Sequence, residues 1–276
     1  MRKVSLFELL FIPLFLLLIL YPIFAIINNV SADGINKTLS DPFFWSCTQN
    51  TIIAAIFAAL LGVFLALGFG YFYIFHKNSI MYRIADFTND LPIALPHTVA
   101  GLALLLAFGR KSFGFVGPTG LAFTLLAVSL AMFFVSYPLA ARTISSTIDE
   151  IEKETIDVAR TLGDSPSKAY RRVVIPMLSE AIFSAFILAF SRSLSEFAAV
   201  IMFGGNVPGM TQVLASYVFT KVEEGETGMA VTASAFCVLI SLVLVLILRL
   251  RGKWGASLIK EVSSKLKLPG RSKKNA

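Results

Sequence analysis

Six stretches of this chain contain no charged residue over a length that can cross a lipid bilayer, and this pattern is the strongest constraint on its fold. They are residues 9–27, 52–75, 91–109, 112–141, 197–220 and 227–248. A helix needs about 20 residues to cross the hydrocarbon core. Because a backbone in lipid must satisfy its hydrogen bonds internally, runs of this length form helices. The sequence therefore predicts an all-α, polytopic membrane protein.

Six transmembrane helices are predicted from these stretches, with glycine and proline residues as boundaries and with residues 178–196 added to the fifth. The helices cover residues 9–27, 52–75, 91–108, 121–143, 178–203 and 229–250. The third contains Pro92 and Pro96, which predict a kink or a delayed helix start. The segments between the helices are predicted loops, among them 28–46, 76–90, 109–120 and 204–228. The chain is then organised as a first helix with an external loop (1–46), a core (47–250) and a basic cytosolic tail (251–276).

Composition and charge placement agree with this prediction. Of the 276 residues, 56% are hydrophobic and 15% are charged, whereas a soluble domain has roughly 25% charged residues. The net charge is +7, and the 24 Lys and Arg residues gather in alternate loops. With the N-terminus inside, 19 of them lie in inner segments and four in outer loops. The positive-inside rule then predicts a plasma-membrane protein with both termini in the cytoplasm.

Several other classes of protein are not indicated. The basic residues are not interleaved with aromatic ones, so a nucleic-acid partner is not expected. Cys47 and Cys237 lie at different predicted depths, which argues against a disulfide, and His76 and His97 lack metal-ligand spacing. No phosphate-binding Gly-x-x-x-x-Gly-Lys-Ser/Thr sequence and no paired catalytic set occur. The chain is therefore predicted to hold no metal or cofactor and not to be an enzyme.

The N-terminal stretch has two interpretations. A basic start leads into an apolar run, and residues 30–32 (Val-Ser-Ala) resemble a signal-peptide cleavage site. A signal peptide has an apolar core of about 7–15 residues, and the run at 9–27 is longer. A retained first helix is the favoured interpretation, with cleavage as the alternative.

A polar segment at residues 157–176 interrupts the apolar pattern. Ile156, Ala159 and Leu162 recur every three residues, as on one helical face. Gly163 follows at the position of a C-terminal cap. Ser165 is then suited to cap a second helix, with Pro166 at its first position. The sequence predicts a short helix, a glycine turn and a second short helix on a surface.

This segment resembles the signature of ABC importer permeases, which reads Glu-Ala-Ala, three residues, Gly, nine residues, Ile-x-Leu-Pro. Here Asp157-Val158-Ala159 stands for the first triplet, Gly163 has the required offset, and 173–176 (Val-Val-Ile-Pro) fills the end. Asp for Glu and Val for Ala are departures from the pattern. The resemblance implies a MetI-like, type I importer fold in which residues 144–177 form a cytosolic coupling loop against an ATPase subunit. The residues assigned to this contact are Asp157, Ala159, Gly163, Ser165, Pro166, Tyr170, Arg171 and Pro176. An ordinary amphipathic loop is the alternative.

The family resemblance also implies partners. A second copy of the chain, two cytosolic ABC ATPase subunits that bind ATP and Mg²⁺, and an external oxyanion-binding protein complete such an importer. The first helix is expected to wrap the neighbouring copy. An ion-coupled secondary transporter and an intramembrane enzyme are the rival classes, but the first would not need the coupling loop and the second would need a catalytic constellation.

Ionisable residues inside a predicted span indicate the translocation path. Arg192 and Glu196 are four residues apart, so they share one helix face and can pair. A purely structural ion pair is an equal alternative. The segment 191–197 resembles the corresponding helix of molybdate and sulfate permeases, as do the stretches around Pro96 and Thr98 and around Asn206 and Thr211. For these, a kinked packing helix and a plain turn are the alternatives.

The resemblance extends to the substrate, a tetrahedral oxyanion. Residues 98–105 (Thr-Val-Ala-Gly-Leu-Ala-Leu-Leu) resemble the molybdate and tungstate branch more than the sulfate branch. The sequence therefore predicts import of molybdate or tungstate, with sulfate or thiosulfate as the alternative. Charge and geometry do not separate these dianions, which differ in size.

Overall fold

The computed structural model describes residues 6–265 of the chain, and side chains within residues 10–250. The described residues form helices and contain no strand beyond one isolated bridge between Gly109 and Gly120. The helices are α1 (Leu6–Asn28), α2 (Ala32–Ser40), α3 (Pro42–Phe75), α4 (Ile80–Ala94), α5 (His97–Phe108), α6 (Arg110–Phe113), α7 (Leu125–Asp149), α8 (Lys153–Thr161), α9 (Pro166–Met177), α10 (Ser179–Leu194), α11 (Ala198–Gly204), α12 (Leu214–Glu223) and α13 (Thr227–Lys265).

Four of these helices, α1, α3, α7 and α13, are long and apolar enough to cross a membrane without a break. Two bent pairs of helices, α4 with α5 at 120° and α9 with α10 at 72°, bring the number of candidate spans in the described residues to six if each pair is one span. The predicted all-α polytopic class is confirmed, and the prediction of six spans corresponds to this higher count.

The third span differs from its prediction because a helix precedes it. Residues 76–90, predicted as a loop, are mostly in α4, whose first turn is capped by the Ser79 hydroxyl accepting from the Tyr82 N–H at 3.1 Å. The chain bends after Ala94, so Pro92 lies inside α4 and only Pro96 marks the break. Asp86 and Asp90 concealed this helix from a search for apolar runs. Both carboxylates bind Arg142 of α7, at 2.8 and 2.6 Å.

The fifth span also contains a break that its sequence did not indicate. The prediction was one helix over residues 178–203, whereas α10 ends at Leu194 and α11 begins at Ala198. Glu196 lies in the break, and its Oε1 accepts a hydrogen bond from the Ala199 N–H at 3.0 Å. A side chain that satisfies a free amide of the first turn stabilises a new helix start.

Some predicted boundaries fall inside helices. Asp41 caps α3 by accepting from the Phe43 N–H, so this helix begins before the predicted domain boundary at 46/47. Two helices extend beyond their predicted C-terminal boundaries. The helix α7 runs to Asp149, past the predicted start of the coupling loop, and α13 continues past residue 250 to Lys265. The external segments contain the helices α2 and α12 as well as turns. Residues 266–276 of the predicted tail lie outside the described residues.

Small residues let α3, α7 and α10 pack closely at the centre. Ala59, Ala66, Ala140, Ala185 and Ala189 are fully buried in one cluster that these helices share. Small side chains allow the backbones of membrane helices to approach, which favours van der Waals packing where the hydrophobic effect is weak. By contrast, α1 contacts α13, but none of its apolar span is buried within the chain.

The two ends of the bundle separate the predicted inner and outer segments. At one end, Asp41 accepts from the Tyr217 hydroxyl at 2.8 Å and lies 3.7 Å from the Lys221 ammonium, which joins α3 to α12. Burial, together with the hydrogen bond to Asp41, raises the pKa of Tyr217. At the other end, Tyr73 of α3 donates to Asp149 of α7. The predicted outer loops thus meet at one end and the coupling segment lies at the other.

Candidate coupling surface and translocation site

The segment 153–177 has the predicted helix, turn and helix. Gly163 adopts φ = +96°, a left-handed conformation that favours glycine. The Ser165 hydroxyl accepts from the Lys168 N–H at 3.4 Å, and Pro166 begins α9. Pro176 lies inside α9 and does not interrupt it, because α9 continues to Met177 through a π-helical turn at Tyr170–Val174. The bend to α10 comes at Leu178.

One face of this segment attaches it to the bundle. Ile156 and Tyr170 are buried in the same cluster as Phe69 and Ile148. The Tyr170 hydroxyl donates to the Leu67 carbonyl of α3 at 2.6 Å. Of the residues assigned to ATPase contact, Tyr170 therefore connects the segment to the membrane helices and does not lie on its outer surface.

The opposite face is exposed and partly apolar. Leu162 is 83% exposed and Val158 is 57% exposed, and Asp157, Gly163 and Arg171 are exposed beside them. Exposed apolar side chains rimmed by polar ones mark a surface for a partner. The sequence predicted one apolar face that Ile156 and Leu162 share, whereas Ile156 is buried and Leu162, which follows the end of α8, is exposed.

A cleft of about 460 Å³ lies beside α8 at this end of the bundle. Its wall carries charges of both signs, from Lys77, Asp149, Lys153, Asp157 and Arg160. Lys77 donates to the Tyr73 hydroxyl at 3.0 Å, and this hydrogen bond raises the pKa of Lys77. The cleft brings charged residues of α8 next to the end of α7.

Arg192 and Glu196 pair as predicted, and a third residue joins them. Arg192 Nη2 lies 3.1 Å from Glu196 Oε2 and 2.9 Å from His97 Nε2. His97 Nδ1 lies 3.2 Å from the same Glu196 oxygen. Glu196 has no exposed surface, whereas the side chains of Arg192 and His97 are 24% and 37% exposed. The buried carboxylate accepts from Arg192 and from the Ala199 N–H, and the His97 ring of another span lies against it. Pairing of this kind is how ionisable groups persist in a membrane.

His97 was not selected from the sequence because it is 95 residues away from Arg192 and no spacing connects them. The available signal was its position: it is an ionisable residue within an apolar stretch, directly after Pro96. In the structure Leu95 and Pro96 form the break between α4 and α5, and His97 is the first residue of α5. The two breaks therefore face each other, and each supplies part of one cluster.

Gly101 lies at the crossing of α5 and α11 and allows the two helix breaks to lie close together. A Cβ on Gly101 would lie 2.7 Å from Met202 Cβ and 2.8 Å from the Ala199 backbone, so the two helices touch there without an intervening side chain. Thr98, one residue beyond His97, is exposed. Four of the predicted path residues, Pro96, Thr98, Arg192 and Glu196, thus lie at or beside this meeting point.

The structure places the other two predicted path residues elsewhere. Asn206 and Thr211 follow the far end of α11, which at seven residues is about 10 Å long. The Thr211 hydroxyl is buried and accepts from the Val207 N–H at 3.0 Å, so it stabilises its own turn. Asn206 has φ = +50° and donates to the Thr220 hydroxyl at 3.2 Å, while its Oδ1 has no hydrogen-bond partner among the described residues.

Comparison with known proteins identifies the class to which this bundle belongs. Residues 58–254 match the family described as "Binding-protein-dependent transport system inner membrane component". The chain belongs to this family. It is therefore a multi-pass permease subunit, in agreement with the predicted MetI-like fold, and the match includes both the coupling segment and the Arg192 cluster.

Similar curated proteins are transport permeases, in agreement with the prediction of a non-enzymatic chain. One is the probable sulfate transport system permease protein cysT of Helicosporidium sp., 37% identical over 71% of this chain and 73% of that protein. Another is the probable transport system permease protein NifC of Clostridium pasteurianum, 32% identical over 90% of each chain. The sulfate transport system permease protein CysT of Salmonella typhimurium is 33% identical over 79% of each chain.

Solved structures show the same fold at low sequence identity. A chain of a bacterial alginate ABC transporter in complex with a pentasaccharide-bound periplasmic protein has a TM-score of 0.68 at 15% identity, over 87% of this chain and 90% of that one. A chain of an amino acid ABC transporter has a TM-score of 0.57 at 19% identity, over 81% and 99%.

Proposed function

We propose that this chain is the permease subunit of an ATP-driven importer for a tetrahedral oxyanion, and that sulfate is its substrate. The observation that supports sulfate as the substrate is the similarity of this chain to several sulfate permeases at 31–37% identity. These relatives favour sulfate over molybdate and tungstate, the substrates that residues 98–105 indicated. The partly exposed Arg192 side chain, at the meeting of two broken spans, suits an anion of either kind.

The coupling segment is the proposed site of force transmission. An ATPase subunit would bind the exposed face around Leu162, while Tyr170 transmits its movement to α3 through the buried hydrogen bond to Leu67. Two ATPase subunits that close on ATP would draw two such segments together. Movement drives transport only if the docked segment makes different contacts in the inward and outward states.

The proposed assembly contains a second copy of this chain and an external binding protein. The apolar α1 has no buried span within its own chain, which supports a role in wrapping the second copy as well as contact with lipid. Asn206 and Thr211 lie at the end of the bundle that is predicted to be external. They are therefore proposed to lie near the gate and the contact with the binding protein.

Uptake measurements distinguish the candidate substrates. Deletion of the gene should reduce uptake of labelled sulfate at trace supply, and the gene on a plasmid should restore it. Cellular molybdenum and tungsten should remain unchanged in the same cells. If the cellular content of molybdenum or tungsten falls while sulfate uptake is unchanged, sulfate is the wrong substrate, but the assignment as an oxyanion importer still stands. If none of the three changes, the oxyanion assignment is wrong.

A further inference from the structure

A cavity of about 270 Å³ lies beside the Arg192 cluster, where α3, α10, α12 and α13 meet. None of the residues that line it is charged, and about half of them are aliphatic. The other half carry five hydroxyls and one thiol: Thr51, Ser191, Ser195, Ser234, Ser241 and Cys237. The cavity therefore combines an apolar wall with a wall of hydroxyl groups that comes from three separate spans.

The polar residues of α13 at this level all belong to one face of the helix. Ser234, Cys237 and Ser241 are spaced by three and four residues, so they share a side, and all three line the cavity. The opposite side is aliphatic and exposed, with Leu239 and Leu242 more than half accessible. Polar side chains within a membrane face the bundle or a water-filled space. The arrangement of α13 thus turns its hydroxyls toward the cavity and its leucines toward lipid.

The hydroxyls of this cavity have hydrogen-bonding capacity left for a guest. Ser234 and Ser241 each donate to the carbonyl one turn earlier on α13, at 2.8 and 3.0 Å. Ser191 makes no side-chain hydrogen bond within the described residues. A hydroxyl has one donor and two lone pairs, and its hydrogen rotates to suit a partner. A lipid tail would leave these groups unused, whereas a polar guest could bind all of them.

Arg192 lies at the edge of the same cavity. Its Nη1 donates to the hydroxyl of Ser195, which lines the cavity, at 3.1 Å. A guanidinium has five N–H groups, and Ser195, Glu196 and His97 account for at most three of them. At least two N–H groups thus remain for a ligand, whichever nitrogen of the His97 ring carries a proton. Since Glu196 balances the charge of Arg192, hydrogen bonds more than net charge would hold an anion here, which suits a site that must release its ligand.

We propose that this cavity binds the oxyanion on its way through the permease. Arg192 contacts the anion from the edge, and the hydroxyls of Ser191, Ser195 and Ser234 donate to it from the wall. A tetrahedral oxyanion accepts hydrogen bonds on every side, and the volume leaves room for part of its hydration shell, because a water molecule occupies about 30 Å³ in the liquid. The proposal rests on the proposed function and adds to it the place where the anion binds.

Cys237 provides a native reporter in the wall of the cavity. In membranes of cells that produce the importer, N-ethylmaleimide, an uncharged thiol reagent, should modify Cys237, which mass spectrometry detects. Sulfate at ten times its dissociation constant should slow this modification about tenfold, because it leaves about one tenth of the sites free. Sodium chloride at the same ionic strength should have no effect. Cys47 is buried and serves as an internal control.

Single hydroxyl deletions test whether the wall takes part in binding. Ser191→Ala and Ser234→Ala should each need about tenfold more sulfate for the same protection of Cys237, the effect of losing one hydrogen bond to a charged group. Ser129→Ala on α7 is a matched control. The Ser129 hydroxyl also donates to the carbonyl one turn earlier, at 2.9 Å, but it lies outside the cavity. This variant should keep the wild-type protection.

The outcomes separate this proposal from the proposed function. If neither sulfate nor molybdate slows the modification of Cys237, the cavity is not an anion site, although the chain remains a permease. Wild-type protection in both serine variants would also overturn the proposal. Protection by molybdate as well as sulfate would support a site for tetrahedral dianions as a class.

A second reporter covers the case in which Cys237 does not react without an anion. Ser241→Cys places a thiol at an exposed position of the same cavity. If this thiol is also unreactive, the cavity is closed to solvent and the proposal is wrong. The proposed function fails by a different result, unchanged uptake of all three oxyanions after deletion of the gene.

Discussion

Glu196 is a carboxylate without exposed surface within the helix bundle, where it accepts hydrogen bonds from Arg192 and the Ala199 N–H and contacts the His97 ring. Burying a charge is costly unless it is paired and hydrogen-bonded. The same three contacts give this residue two roles, because the amide of Ala199 makes it a helix cap and Oε2 makes it the centre of the Arg192 cluster.

Replacing Glu196 tests whether Arg192 is structural or contacts the anion. Glu196→Gln leaves Arg192 with no carboxylate partner and should destabilise the protein by about 3 kcal/mol, in the range for breaking a buried pair. The double variant Arg192→Gln with Glu196→Gln removes both charges and should recover folding, measured as yield and thermal stability. We expect it to remain inactive in sulfate uptake. Recovered uptake in the double variant would make Arg192 a structural residue and contradict its place on the path.

At the scale of elements, the two short helices α8 and α9 depend on the turn between them. Gly163 has a positive φ, and a Cβ there would meet no atom within 4 Å of its own chain. A side chain at this position would thus be strained by its backbone and not by neighbours. A side chain added at Gly163 would also occupy space that a docked partner subunit needs at this turn.

Gly163→Asp should insert into the membrane normally and lose ATPase association and transport. The backbone strain is about 1 kcal/mol, too small to unfold the bundle, so the effect should appear in copurification of the ATPase subunit. Gly225→Asp is a matched control, since Gly225 also has a positive φ (+77°) and no atom within 4 Å of its Cβ position, but lies between α12 and α13. Equal ATPase recovery in the two variants would argue against the coupling role.

At the scale of the whole molecule, the bundle has two chemically distinct ends. The coupling segment forms one end, and α2, α12 and the turns around Gly205 form the other. The charge distribution of the sequence predicts that the first of these ends lies in the cytoplasm. That assignment also decides from which side an ATPase or a binding protein can reach the chain.

Labelling with a membrane-impermeant thiol reagent tests this orientation in intact cells. Ser165→Cys should react only after the membrane is opened, whereas Lys37→Cys on α2 should react from outside. The side chain of Lys221 is 16% exposed and held by Glu224 and Asp41, so it is a poorer external probe. The wild type is the control for background labelling of its own two cysteines, of which Cys47 is buried and Cys237 is partly exposed. Labelling of Ser165→Cys from outside would reverse the whole topology.

The sequence by itself determined the class of the protein and its local turns. Uncharged runs require helices in lipid, and Gly163, Ser165 and Pro166 specify a turn and a new helix through backbone preferences that need no distant partner. The amphipathic helix α4 was missed because Asp86 and Asp90 interrupt its apolar pattern, and their partner Arg142 lies on α7, far along the chain. The break at Glu196 involves near neighbours, but pairing with Arg192 four residues earlier is equally compatible with an unbroken helix, so the sequence did not indicate the break. The place of His97 was decided by tertiary structure, because 95 residues separate it from Arg192 and a separation of that length leaves no periodic signal in the sequence.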